Sequence, residues 1–574
     1  MASAKQRLVA VACQGGGSHT AYTAGVLDVL LDRQNDNEYR IMGLSGTSGG
    51  ALCALVAWYG LLKGGTSLAR SGLRELWADN AATGLWEQTW NACAVSASDL
   101  PVDVHMTPYQ PPLSWILAWG RYWAPRPQWV DLRLLVEKHV RFADIGHLGA
   151  LEQLQDEVGQ WLCADDASDL HIASLGPGRP DLDRAQLAEV VANVRALDRD
   201  GRGPSGRFLK VQELAADLRR IEEIAGAGGR WTRPDVERLR DALRSARAKI
   251  PVLLIGAADV ATGEFKAFSS RKNEITADAV CASAAIPWVF KAVEHKYWDG
   301  LFSQNPPIRQ FVSDPDSAAH KPDELWIVQI NPQSDPKAPP TSASAILERR
   351  NQMSGNLSLN QEIAAIKATN RWLGEHLLAG SPRYKLETIH WIRMHVPTLE
   401  ARWPMGPASK MDRDPGFLEA LREHGETQAQ LFLPIRRFIE DVWKEANGRA
   451  RKAAAEALCA GGSGVSELLN TVDLMQDNLQ ELYVTIDGMD IMPTRVTARQ
   501  EIAGRASLDW SGHGMHSGKQ VLFQGKADLV VANGRIAGGA IHDMSIIKIR
   551  TGRHEPQPKA AGHDPRRGSP ASVD

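Results

Sequence analysis

The pentapeptide Gly46-Thr47-Ser48-Gly49-Gly50 decides how the chain is read. Ahead of it lies Arg40-Ile41-Met42-Gly43-Leu44, a short run suited to a buried strand; behind it lies Ala51-Leu52-Cys53-Ala54-Leu55-Val56-Ala57-Trp58, suited to a buried helix. A Gly-x-Ser-x-Gly in that context predicts a sharp, strained turn that lifts the Ser48 hydroxyl over the end of a sheet. Gly46 and Gly50 at its flanks permit the bend. The serine then sits at a helix N-terminus, where free N–H groups, that of Gly49 among them, favour developing negative charge. A merely structural glycine-rich turn is the competing reading, and the strand–turn–helix context weighs against it.

A second glycine element precedes this one. The apolar strand Leu8-Val9-Ala10-Val11-Ala12-Cys13 leads into Gln14-Gly15-Gly16-Gly17-Ser18-His19-Thr20 and then a helical run from Ala21. Unshielded N–H groups at Gly15, Gly16 and Gly17 suit an anion. A nucleotide-phosphate cradle is disfavoured, because no Gly-Lys-Ser/Thr follows and Thr20 stands where a dinucleotide fingerprint has its last glycine. With a nucleophile elbow about thirty residues downstream, an oxyanion hole is expected instead. Far along the chain, the strand-like Val293 to Trp298 ends in Asp299-Gly300, a turn signal that also offers a carboxylate as general base. Upstream of it stands Ala282-Ser283-Ala284-Ala285-Ile286-Pro287.

Taken together, these elements resemble the patatin-like phospholipase family. Its members carry, in this order, a glycine-rich oxyanion loop, a Gly-x-Ser-x-Gly nucleophile, an Ala-Ser-x-Ala-Ile-Pro stretch and an Asp-Gly pair. Asn305-Pro306-Pro307 resembles the Asn-x-Pro that follows the aspartate, and Ser409-Lys410-Met411-Asp412-Arg413 resembles a C-terminal part of one bacterial branch. The resemblance covers roughly residues 5–145 and 250–435. It implies a Ser48–Asp299 dyad, an oxyanion hole from Gly15, Gly16, Gly17 and Gly49, motif support from Gly46, Gly50 and Gly300, and a fatty-acyl ester substrate, with neither metal nor cofactor. The chain departs from the family at His19 (usually Arg or Lys), Thr20 (usually Gly) and Leu301 (usually Gly or Ala). Backbone N–H groups, not side chains, make an oxyanion hole, so these departures bear on rate and substrate range.

Composition sets the remaining bounds. The 574 residues suffice for more than one domain, and a formal net charge of −3 gives no whole-protein attraction to nucleic acid or anionic lipid. Six scattered cysteines read as reduced structural thiols, which suggests a cytoplasmic protein, with contact at a membrane or lipid surface expected only at the periphery. The apolar run Ala51–Leu62 is too short to cross a bilayer.

The expected fold class is α/β: a three-layer α/β/α core with a mostly parallel sheet over residues 5–435, a helical insertion and a C-terminal β-rich module. Residues 100–130, with Trp115, Trp119, Trp123 and Trp129, read either as a packed helix or as an interfacial lid. Helical spacing of Leu187, Val190, Val194 and Leu197, of Val211, Leu214, Leu218 and Ile221, and of Val236, Leu239, Leu243 and Ala246 predicts three charged-faced helices within an insertion at 145–249. Residues 436–470 read as a helical linker ending in the Gly461–Gly464 break, 471–552 as short strands parted by Asp487-Gly488 and Asn533-Gly534, and 553–574 as a disordered tail. A protein partner or self-association is expected to use the insertion or the β-rich module. On this division a chain ending near Ala460 should fold unaided. Asp509, His513 and His516 are too sparse for a metal site.

The function expected is hydrolysis of a phospholipid or lysophospholipid acyl ester through an acyl-enzyme on Ser48. Alternatives are a Ser–His–Asp hydrolase using His320, His376, His390 or His395, an esterase or polyester hydrolase without phospholipid preference, and a non-catalytic lipid-binding scaffold.

Overall fold

The computed structural model describes residues 6–34, 38–98, 123–163, 183–199, 208–227, 231–287, 292–294, 296–313, 320–333, 339–340, 343–374, 383–496, 501–517 and 519–551. At its centre lies a sheet built from β1 (Arg7–Cys13), β2 (Tyr39–Gly46), β3 (Val252–Asp259), β4 (Phe265–Ser269), β5 (Tyr297–Asp299), β6 (Glu324–Gln329) and β7 (Thr388–Arg393). Its order is β4-β3-β2-β1-β6-β7, with β5 pairing β3 off this path. Strands β3, β2, β1, β6 and β7 are parallel, whereas β4 and β5 run antiparallel to β3. Helices cover both faces, so β1 is buried continuously from Val9 to Cys13 and reads as an unbroken apolar run. The loops after β1, β2 and β6 therefore meet along one edge, the carboxyl edge where open parallel sheets place their sites.

The helix Gly49–Asn80 opens directly from the pentapeptide. It is long and apolar enough to cross a membrane by composition, but it is the core helix of the sheet. Leu55, Ala57 and Leu62 are fully buried, Trp58 Nε1 donates to the Pro251 carbonyl at 2.7 Å, and Gly65, at φ 75°, interrupts the helix.

In the insertion, helices Arg184–Arg199, Ala215–Gly226 and Arg233–Lys249 follow the predicted spacing, with Val191 buried fully and Val190 only partly. They do not stand free. The helix Phe142–Cys163 joins them, and Arg271 ties this cluster to the sheet through Glu152 at 3.1 Å.

The C-terminal module is an antiparallel meander of β8 (Gln480–Val496), β9 (Ile502–His516), β10 (Lys519–Ala532) and β11 (Arg535–Thr551). Its strands run 14 to 17 residues, longer than expected, because Asp487-Gly488 is no turn. The ladder with β9 shifts register there, a bulge within β8. Asn533-Gly534, with φ of 50° and 75°, is the turn that was expected.

Nor do residues 436–470 form a linker. Phe438, Ile439, Val442 and Trp443 are fully buried, and Trp443 packs on Trp510 of β9 with ring centroids 5.2 Å apart. Gln428 of the helix Pro415–Arg437 donates to the Ile491 carbonyl at 2.9 Å. The meander thus shares one hydrophobic core with the sheet. A chain ending at Ala460 would expose Leu431 and Trp443, and we expect it to be insoluble or to bind a hydrophobic dye strongly. Expression and dye binding of that truncation, compared with the full chain, check this.

Candidate active site

Strand β2 ends at Gly46 and its helix starts at Gly49, so two residues make the turn. Ser48 takes φ 55° and ψ −128°, a conformation costing a non-glycine residue on the order of 1–3 kcal/mol. Buried hydrogen bonds hold it there. The Thr47 N–H donates to the Cys13 carbonyl at 3.3 Å, and Thr47 Oγ1 to the Gln304 carbonyl at 2.7 Å. The Ser48 N–H donates to Ser283 Oγ at 3.0 Å, while Ser283 Oγ donates to the Gly256 carbonyl at 2.6 Å. Ser48 does not cap its own helix, which leaves the hydroxyl at that helix's N-terminus free to face Asp299.

Asp299 ends β5, opposite Ala257 of β3, and its N–H donates to the Ala285 carbonyl at 3.0 Å. Both Ser283 and Ala285 come from the Ala282–Pro287 stretch, which therefore joins the serine turn to the aspartate. The carboxyl is fully buried. Oδ1 accepts from the Leu301 N–H at 2.8 Å, and Oδ2 makes no hydrogen bond of ordinary geometry. Burial pushes the pKa up to about 7, against smaller downward pulls from the Leu301 N–H, the nearby Ser48 hydroxyl and the Lys410 charge. Gly300 lies against the Gly256 carbonyl, 2.4 Å from where a Cβ would stand.

Beside Ser48 runs the glycine loop. Gly15 is held on both sides: its N–H donates to Asn305 Oδ1 at 2.7 Å and its carbonyl accepts from Asn331 Nδ2 at 3.1 Å. The Gly15 N–H is thus already engaged, which corrects the expectation that Gly15, Gly16 and Gly17 would all point at an anion. Among the described residues, the N–H groups of Gly16 and Gly17 have no partner.

The departures at positions 19, 20 and 301 have local causes. Thr20 Oγ1 donates to the Gly17 carbonyl at 2.6 Å and closes the turn after the loop. His19 is buried, and burial and the Lys410 charge push its imidazole down to about 3. Ser409 Oγ donates its proton to the Gly406 carbonyl at 2.6 Å, so it accepts from His19 Nε2 at 2.8 Å. A cation in place of His19 would be buried beside Lys410. Leu301 meets Asp299 through its backbone, so its side chain is not what the aspartate needs.

Other candidates are not gathered here. His390 is buried between Glu324 and Glu440, and His395 Nδ1 pairs with Thr398 Oγ1 at 2.8 Å. No described histidine is hydrogen-bonded to Asp299 or Ser48, and His376 lies outside the described residues. Asp509 and His513 lie four residues apart on β9, about 13 Å along a strand, too far to share an ion. Glu324, His390 and Glu440 do present ligand atoms within 4.8 Å of one another. Arg436, Arg7 and Lys444 already pair with those carboxylates, at 2.5, 3.0 and 2.8 Å, which makes the cluster an ion-pair network hostile to a further cation. Trp115 and Trp119 lie outside the described residues; Trp129 is buried against Trp90, with centroids 5.3 Å apart, and Trp123 is exposed.

Ser283, Asn331 and Lys410 reach the site without having been singled out for it. Ser283 and Lys410 stood inside motifs quoted for the resemblance, whereas Asn331 carried no signal.

Fold and site together define an α/β protein with a serine elbow and a buried aspartate at the carboxyl edge of its sheet. The family model described as patatin-like phospholipase matches residues 172–312, which bears out the resemblance at the Ala282–Pro287 and Asp299 part of the motifs and extends into 172–249, which the motifs had left out as an insertion. That stretch contains Asp299 and the Ala282–Pro287 segment; Ser48 and the glycine loop join them through the fold. The match supports lipid hydrolysis at the level of the family. No curated protein matches the chain. Among solved structures, full-length ExoU in complex with full-length SpcU, from the type III secretion system of Pseudomonas aeruginosa, is similar at 13% identity, covering 83% of this chain and 78% of that chain with a TM-score of 0.20.

Three variants test the local geometry. Ser283→Ala leaves the Ser48 N–H without its acceptor and should cost about 1–3 kcal/mol, read by denaturant unfolding. A methyl at Gly15 would meet the backbone carbonyl of Thr47 at 2.5 Å, whereas one at Gly16 meets only the flexible end of Ile330 at 2.4 Å. Gly15→Ala should therefore destabilise more than Gly16→Ala in thermal melts.

Proposed function

We propose that the chain is a serine lipid acyl hydrolase that cleaves fatty-acyl esters of phospholipids or lysophospholipids. The observation that carries this reading is the pairing of a strained, uncapped Ser48 with a buried carboxyl whose pKa of about 7 suits a general base. Asp299 takes the proton of Ser48 Oγ as the oxygen attacks the ester carbonyl carbon. The tetrahedral oxyanion is received by N–H groups of Gly16, Gly17 and the helix start at Gly49. Collapse expels the alcohol, which takes the proton back from Asp299. Water, activated by the same carboxylate, then releases the fatty acid and restores Ser48.

A fluorophosphonate probe should label the wild-type chain at Ser48 and leave Ser48→Ala unlabelled. Ser48→Ala and Asp299→Asn should each lower ester hydrolysis by roughly 10³-fold or more. Labelling of the Ser48→Ala chain at another residue, with hydrolysis retained, would sink the assignment.

The base acts when deprotonated, so turnover should climb between pH 5 and 8 with an apparent pKa near 7. The same shift has a consequence for stability. The folded pKa lies above the unfolded carboxyl value of about 3.9, so the native chain holds this proton more tightly. Its stabilising effect is complete below pH ~4 and lost as pH rises through about 7. Asp299→Asn should therefore gain in melting temperature relative to wild type at pH 8 more than at pH 5, which paired melts at the two pH values measure.

A further inference from the structure

We propose that Asn331 and Lys410 are positioning residues of the glycine loop, which hold the Gly16 N–H in the orientation that receives an oxyanion formed at Ser48. This rests on the hydrolase reading above.

Strand β6 lies beside β1, so the residues just after β6 stand next to the loop just after β1. Gln14 fastens the two together. Its Oε1 accepts from the N–H groups of Ile330 at 3.0 Å and Asn331 at 2.8 Å, and its Nε2 donates to Asn356 Oδ1 at 2.9 Å. Thus anchored, Asn331 donates from Nδ2 to the Gly15 carbonyl at 3.1 Å. The peptide that follows, between Gly15 and Gly16, is trans and planar, so its N–H points opposite to its carbonyl. Gripping the Gly15 carbonyl on the Asn331 side turns the Gly16 N–H to the other side, where no described residue meets it. Gly15 itself lies against the serine: a Cβ on it would stand 2.9 Å from Ser48 Cβ.

A carboxamide can present either its oxygen or its nitrogen, and presenting the oxygen would set two acceptors against each other at Gly15. Lys410 decides the matter. Its Nζ lies 2.7 Å from Asn331 Oδ1, and an ammonium can only donate. The atom it meets must be the oxygen, so the nitrogen faces Gly15. Glu348 holds Lys410 in place at 2.5 Å, and the Lys410 backbone carbonyl packs on Gly17, 2.2 Å from where a Cβ would stand. Three titratable groups face Lys410: Glu348 pairs with it, while His19 and Asp299 feel its charge, and both of their pKa values are lowered by it.

The experiment is steady-state hydrolysis of a short-chain p-nitrophenyl ester by the full chain from pH 5 to 9. Wild type is compared with Ser48→Ala, Asn331→Leu, Asn331→Asp, Lys410→Met and Lys410→Arg. Loss of the grip should lower kcat by about tenfold to a hundredfold in Asn331→Leu, Asn331→Asp and Lys410→Met, with KM held within about threefold. Lys410→Met should also move the acid limb of the kcat profile upward, because the charge that helps lower the Asp299 pKa is gone; Lys410→Arg should keep the limb in place. Should Asn331→Leu fail to fold, the near-isosteric Asn331→Asp and Lys410→Met, at a side chain 18% exposed, carry the comparison. Wild-type kcat in Asn331→Asp and Lys410→Met, or a loss confined to KM, would overturn the proposal while an inactive Ser48→Ala upholds the hydrolase reading. Hydrolysis retained by Ser48→Ala would overturn both.

Discussion

Direct backbone contact between the loop after β1 and the turn after β2 is the constraint on which the site depends. These strands are parallel neighbours, so their carboxyl ends lie side by side. A Cβ on Gly50 would stand 2.4 Å from the Cys13 carbonyl oxygen, and one on Gly15 2.5 Å from that of Thr47. No side chain fits between the two segments. The glycines serve mainly this approach, while backbone strain falls on the serine itself, with φ 55°. Hydrogen bonds from Thr47 and Ser48 to Cys13, Gln304 and Ser283 over-determine that strained turn, which is how such a conformation persists in a folded chain.

Two buried carboxylates show how partners decide what burial does. Glu324 opens β6 fully buried and faces Arg436 through two contacts, at 2.5 and 2.9 Å, with Trp326 Nε1 donating at 2.8 Å. Paired in this way, it stays below the usual carboxylate range despite its burial, held down chiefly by the Arg436 charge. Asp299, equally buried, has one backbone N–H, a serine hydroxyl and a more distant cation, and burial prevails. The first arrangement joins the sheet to the helix Pro415–Arg437. The second leaves burial to dominate, which raises the carboxyl pKa as it also raises that of Glu387.

What local pattern made legible was whatever is contiguous, while the distant Asp299 and the Ala282–Pro287 stretch came from the family resemblance. Strand, turn and helix around Ser48 follow one another in the chain, as do β1 and the glycine loop, and each carries its own periodicity and turn residues. Ser283, Asn331 and Lys410 enter by sheet order and by the return of the chain after Gly406, which no local pattern encodes. The same limit misdirected the reading of the C-terminal region. A bulge at Asp487-Gly488 looks like a turn in sequence, and a glycine-rich break looks like a boundary. Whether two stretches share a core is decided by the faces they bury, here Trp443 against Trp510 and Leu431 against β9 at Gly504.

The helix Pro415–Arg437 gives that shared core a bearing on the site. Near its start, Phe417 packs edge-on to His19, which follows the glycine loop, with centroids 6.1 Å apart. Its middle meets the C-terminal sheet through Gln428 and Leu431, and its end is locked to β6 by Arg436 and Glu324. One rigid element therefore touches the loop beside Ser48, the meander and the strand that leads to Asn331. Protein interiors are packed too closely for such an element to shift at one end alone. The meander consequently belongs to the framework that sets the loop, even though none of its side chains is hydrogen-bonded to Ser48 or Asp299 among the described residues. A change in the meander that alters how this helix packs would reach the glycine loop through Phe417 and His19.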